Sequence, residues 1–275
     1  MNRLRCPPSP PNGRAYAIVS CRVVKVRRAC ARVVRSLSTA SGNCRAYDPA
    51  FAYEVATIID SGMREMDEQQ RDVFYYVTVT NENYAQPSMA DDDAAARRDG
   101  IPKGIYRLPF GSNATARAQL LGAGAILGEV LATQRMPKDD WGIDAAFWSG
   151  TSFSELQRDR MAAERLSRLG ATTDEPYVMR MLDATQGSVI AATDYVHAVP
   201  ELIRAYVSRR YVTLDTDGIG HSDTREALRA FFEVDRASIV LAALKALTDE
   251  GEINAAIVRT VRERLGKIMQ QPGAP

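Results

Sequence analysis

Three glycines form the stretch of this 275-residue chain that most nearly fits a ligand-binding loop. Gly122, Gly124 and Gly128 follow an apolar, strand-like segment, as the glycines of a dinucleotide-binding loop do. Their spacing is G-x-G-x-x-x-G, one residue longer than that fingerprint, and no acidic residue ends a second strand about 20 residues later. A tight turn between a strand and a helix therefore explains these glycines better than a cofactor site.

A second pattern partly resembles a calcium-binding loop but does not complete the motif. Asp215-Thr-Asp217-Gly218 begins with the oxygen ligands and glycine that such a loop needs. Ile219 then stands where another oxygen ligand belongs, so the sequence excludes calcium binding here.

The two histidines of the chain are weak candidates for residues that bind a ligand or take part in catalysis. His197 lies among apolar neighbours and is expected to be packed or at the rim of the core. His221 follows Gly220 in a strand-end loop, which is where α/β sheets bind ligands. The sequence contains no serine elbow, no phosphate-binding Gly-Lys-Ser/Thr and no Cys–His pair. Taken alone, the residues indicate no catalytic set.

Charge divides the chain unevenly. The formal net charge is +1, yet residues 1–45 contain ten Lys or Arg, and no acidic residue precedes Asp48. Residues 46–275 hold 25 of the 35 basic residues against all 34 acidic ones, a net charge of −9. This acidic body argues against nucleic-acid binding. No run of about 18 apolar residues predicts a membrane span. We therefore expect the protein to bind neither nucleic acid nor a membrane.

The basic segment 1–43 differs from the rest. Its prolines at 7–11 exclude regular structure there, and the cysteine spacings match no metal site. We interpret the segment as an unselected, disordered extension. Two alternatives stay open: an Arg-rich transit peptide with an amphipathic helix, and a disulfide-bearing arm. We expect a cytoplasmic location, or a mitochondrial one if the segment is a transit peptide. The four cysteines are Cys6, Cys21, Cys30 and Cys44.

Two structural units are predicted after this extension. In the first, residues 44–90, Asp48 caps a helix that begins at Pro49. A β-branched and aromatic run at 73–79 then forms a strand buried on both faces. Residues 91–111 are rich in charge and are expected to form a solvated linker.

The second unit, residues 112–270, alternates strands with helices. Capping boxes are predicted at Ser152 with Glu155 and at Asp223 with Glu226. This alternation predicts an α/β fold with a mixed, mostly parallel sheet covered by helices on both faces. The predicted strands are 118–121, 145–148, 189–193 and 211–214; the predicted helices include 126–134, 152–169, 236–249 and 254–268.

Segments between about residues 43 and 265 resemble, in the same order, a known family. It is the homodimeric type of pyruvate dehydrogenase, the acetyl-transferring, thiamine diphosphate-dependent component. The segments that carry the resemblance are Asp48-Pro-Ala-Phe-Ala-Tyr-Glu-Val55, Tyr75-Tyr76-Val-Thr-Val-Thr-Asn81-Glu-Asn-Tyr84, Gln119-Leu-Leu-Gly122, Thr151-Ser-Phe153, Met161-Ala-Ala-Glu-Arg165, Ala192-Thr-Asp-Tyr195, Arg210-Tyr-Val-Thr-Leu214, Thr216-Asp-Gly218 and Phe232-Glu-Val-Asp235.

The resemblance implies domains, a reaction and partners. Residues 44–90 would be the tail of the pyrimidine-binding domain, and residues 112–270 a transketolase C-terminal-type domain. The family decarboxylates pyruvate on thiamine diphosphate and passes the two-carbon unit to a lipoyl group of its partner, dihydrolipoyl acetyltransferase. The family's magnesium-diphosphate motif, Gly-Asp-Gly, is missing from this sequence, and its activating glutamate lies upstream of the match. No catalytic, cofactor-binding or metal-binding residue is therefore carried over.

These observations predict a C-terminal portion of the dehydrogenase that is inactive alone and binds neither thiamine diphosphate nor magnesium by itself. One alternative is a non-catalytic module that dimerises or docks onto a full-length subunit. Another is an independent nucleotide binder that uses Gly122–Gly128 and Asp217–Gly220. Because the strand at 73–79 lacks most of the sheet of that domain, we expect residues 43–90 to be poorly anchored and residues 112–270 to fold independently.

Overall fold

A computed structural model describes residues 17–22, 42–89, 93–111, 116–136, 143–171, 174–217 and 222–266. Within these ranges, eight strands form two sheets. The strands are β1 (Ala17–Arg22), β2 (Cys44–Tyr47), β3 (Phe74–Thr80), β4 (Tyr106–Gly111), β5 (Ala118–Gly122), β6 (Ala145–Ser149), β7 (Ser188–Ala192) and β8 (Tyr211–Leu214).

Helices of four to sixteen residues connect and cover these strands. A π-turn at Arg64–Glu68 extends the first helix, and short 3₁₀ turns flank the third and follow the sixth. The helices are α1 (Ala52–Met63), α2 (Ala94–Lys103), α3 (Leu127–Ala132), α4 (Phe153–Arg168), α5 (Tyr177–Asp183), α6 (Ala198–Glu201), α7 (Arg225–Phe231), α8 (Arg236–Asp249) and α9 (Ala255–Arg264).

The smaller sheet has the order β1-β3-β2, and both pairs are parallel. The strand predicted at 73–79 therefore exists and lies in the centre of this sheet. Residues 17–22 form a strand inside the segment for which we expect no regular structure, and the rest of 1–41 lies outside the described residues. The physical reason is that the free edge of β3 offers backbone hydrogen-bonding groups, which another strand can satisfy.

The larger sheet has the order β4-β6-β5-β7-β8. Only its edge strand β4 is antiparallel among the described pairs; the other three pairs are parallel. Successive residues of the inner strands face opposite sides, since the side-chain period of a strand is two. Leu120 packs into one buried cluster with α8, whereas Leu121 packs into a second cluster with α4 and α5. The predicted mixed sheet with helices on both faces is confirmed.

The prediction of a solvated linker at 91–111 is wrong. Residues 94–103 form α2 and residues 106–111 form β4, the edge strand of the larger sheet. The charges of this stretch misled the prediction, because Arg97 and Ile101 are both buried. The second unit thus begins before residue 112, and the described part of this stretch is integral to the sheet.

Two of the predicted helix caps need correction. Asp48 does not cap α1, which begins four residues later, at Ala52. Thr224, not Asp223, caps α7 by accepting a hydrogen bond from the N–H of Ala227. The cap at Ser152 is confirmed, since its hydroxyl accepts a hydrogen bond from the N–H of Glu155. Helix α5 was not predicted from the sequence.

One hydrophobic core joins the two predicted units. Tyr47, Phe51 and Ile58 from the first segment pack in the same buried cluster as Leu120 and Leu244 from the second. The expectation that residues 43–90 are poorly anchored is therefore wrong. The physical reason is that the second segment offers the first an apolar surface, which compensates for the strands missing from the smaller sheet.

Candidate functional site

Glu54 lies at the junction between the two segments. Its side chain is fully buried and is held by groups from both. One carboxylate oxygen accepts hydrogen bonds from the N–H groups of Ala50 and Phe51, the latter at 2.9 Å. The other accepts from the Tyr106 and Ser149 hydroxyls, each at 2.6 Å. The carboxylate thus closes the start of α1 and ties it to β4 and β6.

Burial and hydrogen bonding act in opposite directions on this carboxylate. Burial raises the pKa of Glu54 above its ordinary value, and the four hydrogen bonds oppose that rise. A buried general acid or base would need a path to a substrate, whereas each oxygen of Glu54 already has two protein donors. We therefore assign this carboxylate to structure rather than to catalysis. Sequence reasoning missed it, although glutamate at the third helical position is a recognised capping signal.

Asp48, predicted as a cap, is buried where both sheets meet. Its carboxylate accepts a hydrogen bond from the Thr78 hydroxyl, and the Tyr195 hydroxyl lies 3.4 Å away. Its backbone N–H donates to the Thr151 carbonyl at 2.7 Å, and its carbonyl accepts from the N–H of Gly124 at 3.0 Å. These contacts with distant strands and loops outweigh a local cap at the start of α1.

The glycine loop is not a nucleotide cradle. At Gly124, which has φ +51°, an added Cβ would overlap the Asp48 carboxylate. At Gly122, an added Cβ would lie 2.6 Å from the Cα of Leu127. The space above these two glycines is thus filled by the protein itself. A phosphate brought to Gly124 would also meet a carboxylate, which argues against the nucleotide-binding alternative.

We predict opposite effects of alanine at two glycines of this loop. Gly124→Ala should cost about 2–4 kcal/mol, because it combines left-handed backbone strain with a clash against Asp48. Gly128→Ala is the matched control: nothing lies within 4 Å of its added Cβ, and alanine in α3 should stabilise by about 0.5–1 kcal/mol. Urea unfolding of both variants measures the difference. Equal stability of the two variants would contradict this explanation of the loop.

His197 forms an exposed cluster with acidic residues. Its Nδ1 lies 2.6 Å from the Asp215 carboxylate, and its Nε2 lies 3.6 Å from that of Glu201. The hydrogen bond to Asp215 and the surrounding negative charges raise the pKa of His197. The histidine is more than half exposed, which excludes a packed residue and leaves the predicted position at the rim of the core. His221 and residues 218–220 lie outside the described residues.

The described residues offer little else that chemistry could use. Among them, no three His, Cys, Asp or Glu side chains are placed to hold a metal ion. A shallow cleft of about 570 Å³ lies beside α4, but its lining mixes cations and anions, among them Arg160, Glu164, Arg168 and Asp174. None of the helices in the described ranges is both long enough and apolar enough to cross a bilayer.

An ion network makes a second connection between the two segments. Arg229 of α7 lies between Glu82, just after β3, and Glu129 of α3. Its Nη1 is 3.1 Å from Glu129, and Arg236 Nε approaches the same carboxylate at 2.9 Å. Arg229, Glu82 and Glu129 are mostly buried, whereas Arg236 is about half exposed. The network holds the chain segment that follows β3 against the C-terminal helices.

Two family models match consecutive parts of the chain. The middle domain of the pyruvate dehydrogenase E1 component matches residues 31–87, and the transketolase-like C-terminal domain matches residues 104–235. The first match begins earlier than the resemblance at residue 43. The second begins just before β4, in agreement with the structure and not with a linker at 91–111.

The curated relatives carry the same description. Those of Pseudomonas aeruginosa and Cupriavidus necator, each named pyruvate dehydrogenase E1 component, are 47% and 48% identical to this chain. The alignments cover 84% and 85% of this chain but 26% of each relative. The E1 component of Escherichia coli is 41% identical over 78% of this chain and 24% of its own length. The chain thus spans about a quarter of the length of these relatives.

Solved structures show the same fold at low sequence identity. Transketolase from Leishmania mexicana has a TM-score of 0.55 and 12% identity, covering 78% of this chain and 27% of its own. The structure named "Split gene transketolase, inactive beta4 tetramer" has a TM-score of 0.53 and 15% identity, covering 84% and 65% of the two chains. Together, the matched models, the relatives and the transketolase-like fold show that the chain belongs to the pyruvate dehydrogenase E1 component family and corresponds to its middle-domain and C-terminal segments.

Proposed function

We propose that this chain is a non-catalytic portion of a pyruvate dehydrogenase E1 assembly. In that assembly, pyruvate would be decarboxylated on thiamine diphosphate, and the two-carbon unit would pass to the lipoyl group of an acetyltransferase. The chain would supply a rigid support formed by the two sheets. The cofactor-binding part of the assembly would come from elsewhere. A cytoplasmic location, with a mitochondrial alternative, remains a prediction.

The observation that carries this proposal is the use of the buried carboxylates. Glu54 and Asp48 lie buried at the junction of the two segments, and both are engaged by the protein's own hydroxyl and N–H groups. A catalytic carboxylate needs an open face toward the substrate. The use of these two residues in structure supports a scaffold role.

The residues that the structure describes do not fit a magnesium diphosphate. Such a group needs oxygen ligands for the metal and donors for the phosphates. The acidic and histidine side chains of the described residues form no such ligand set, and at the glycine loop the Asp48 carboxylate fills the space that a phosphate would need. This disagreement supports the proposal that the chain alone does not take up the cofactor.

Calorimetry and a coupled assay test the proposal. Titration with thiamine diphosphate and magnesium should give no binding tighter than about 1 mM, and pyruvate should not be decarboxylated by the chain alone. A full-length E1 component, titrated under the same conditions, serves as the positive control. Tight, magnesium-dependent uptake of thiamine diphosphate by the purified chain would overturn the proposal, as would decarboxylation without an added subunit.

A further inference from the structure

The two strands beside β3 differ in how they are held, and β2 is held firmly. Its residues are all buried, and side chains of the segment that begins α4 bond its backbone. Ser152 Oγ donates to the Ala46 carbonyl at 2.5 Å, and Arg158 Nη2 donates to the Cys44 carbonyl at 2.8 Å. The ladder with β3, the packing and these side-chain hydrogen bonds together fix β2 in place.

β1, on the other side of β3, is held mainly by its backbone ladder. It pairs with β3 in parallel, from Ala17 opposite Tyr75 to Arg22 opposite Thr80. Among the elements that the structure describes, β3 is the only one that β1 contacts extensively. Parallel strands are normally covered by helices on both faces, and pairing with a single neighbour is marginal unless packing adds to it. β1 is therefore the strand that can be exchanged.

β1 also lies outside the part of the chain that matches the family. The matched middle-domain segment, residues 31–87, contains β2 and β3 but not residues 17–22. That segment by itself leaves the backbone N–H and C=O groups on one edge of β3 without partners, and such an edge is a template for a strand of another chain. In this chain, β1 occupies that edge.

We propose that β1 is an autoinhibitory strand, which blocks the edge of β3 where an extended segment of another chain of the E1 assembly docks. This inference rests on the proposed function, in which the cofactor-binding part comes from elsewhere. The docking segment adds to β3 in parallel, as β1 does. Tyr75 and Val77 pack into one buried cluster and Tyr76 into another, so both faces of β3 are buried. The segment that fits beside it is therefore apolar at successive positions.

The covalent connection gives β1 an advantage over a strand from another chain. Residues 17–22 belong to the same chain as β3, so their effective concentration at the edge is on the order of millimolar. A competing strand binds only those molecules in which β1 has left, and its apparent affinity falls by that fraction. Because residues 1–45 are basic and the rest of the chain is acidic, low salt adds to the advantage of β1.

Peptide binding to the full chain tests whether β1 blocks the edge. The probe is a fluorescent peptide of residues 15–24, whose binding is followed by anisotropy under reducing conditions. In the double variant Ile18→Pro/Val19→Pro, successive prolines remove ladder N–H groups from β1. This variant should bind the peptide at least about tenfold more tightly than the wild-type chain does. Ser9→Pro is the matched control: it adds a proline outside β1, within a stretch that is already rich in proline, and should bind as the wild type does.

A peptide scan tests the partner. Overlapping peptides of the Pseudomonas aeruginosa E1 component are taken from outside the part that aligns with this chain. At least one of them should bind the double-proline variant at least about tenfold more tightly than its scrambled version does. If none does, an E1 chain is not the partner, and the proposal is overturned.

Hydrogen exchange of the wild-type chain provides a measurement that needs no folded variant. The amides of residues 17–22 should be protected in the free chain. They should lose protection when an excess of the 15–24 peptide, made with heavy isotopes so that its fragments are separated by mass, replaces β1, while β3 stays protected. Equal peptide affinity of the wild-type chain and the double-proline variant, or protection of residues 17–22 that excess peptide leaves unchanged, would contradict the proposal. Since no thiamine diphosphate is present, a failure here is separate from the outcome of the cofactor titration.

Discussion

Replacing Glu54 with alanine is expected to destabilise the protein by about 3–5 kcal/mol. The substitution leaves the buried N–H groups of Ala50 and Phe51 without their acceptor, and the hydroxyls of Tyr106 and Ser149 lose one as well. It also opens a cavity at the place where α1 meets the larger sheet. Urea unfolding followed by circular dichroism measures the loss.

Glu54→Gln is the control that separates the hydrogen bonds from the charge. The glutamine oxygen can accept from both N–H groups, and its amide can donate to the two hydroxyl oxygens after these rotate. We expect this variant to lose less than about 1.5 kcal/mol. Equal losses in the alanine and glutamine variants would contradict the assignment of the network as the stabilising feature.

The same pair of proteins should differ in pH dependence. Burial raises the pKa of Glu54 in the folded state, so the folded protein holds this proton to a higher pH than the unfolded chain. The resulting contribution to stability is complete below the unfolded pKa of about 4.5 and is lost as the pH rises through the folded pKa. The stability of the Gln variant should therefore rise relative to wild type between those two values.

Separating the two segments is expected to abolish cooperative folding. A chain of residues 93–275 would lose the packing partners that Tyr47, Phe51, Ile58, Tyr75 and Val77 provide in the shared core. At about 1.5–3 kcal/mol for each buried side chain, the loss is roughly 10 kcal/mol, as large as the whole stability of many domains. Calorimetry of the fragment should show no sharp unfolding transition, and the dye ANS should bind to its exposed apolar surface.

The matched control begins at residue 42. It lacks the basic N-terminal segment and keeps every described side chain of the shared core, so it should still unfold in one transition. Hydrogen exchange of the full chain provides a second test: β3 and β6 should exchange by the same opening reaction. A sharp, independent transition of the 93–275 fragment would show that the two segments are separate folding units.

The contacts between the two segments, whose loss is expected to destabilise the protein, also bear on its proposed function. Glu54 fastens one segment to the other through its hydroxyl and N–H partners, and Arg229 does so through Glu82 and Glu129. In an assembly of the kind we propose, such fastening would keep the middle-domain strands in one position relative to the larger sheet. Rigid support of this kind is what a cofactor site built on neighbouring elements needs.

The sequence predicted well wherever a local pattern settles the structure. Strand 211–214 and helix 236–249 have the predicted bounds, and the cap at Ser152 is correct. Such patterns depend on side-chain period and on hydrogen bonds within a few residues. The sequence segments that resemble the family likewise indicated membership, because they occur in the family's order and keep its residue types. Where the prediction failed, as at the linker, the charges of the stretch pointed to solvent while the fold buried Arg97.

What the tertiary structure alone decided is the role of the polar residues in the core. Glu54 and Ser149 are 95 residues apart in the sequence, and Asp48 and Tyr195 are 147 apart. No local pattern encodes such a meeting, since it depends on which strands lie side by side and on how much water the packed core excludes. A carboxylate whose sequence neighbours suggest a helix cap thus becomes a fastening between sheets, because burial without hydrogen-bond donors would cost more than a local cap contributes.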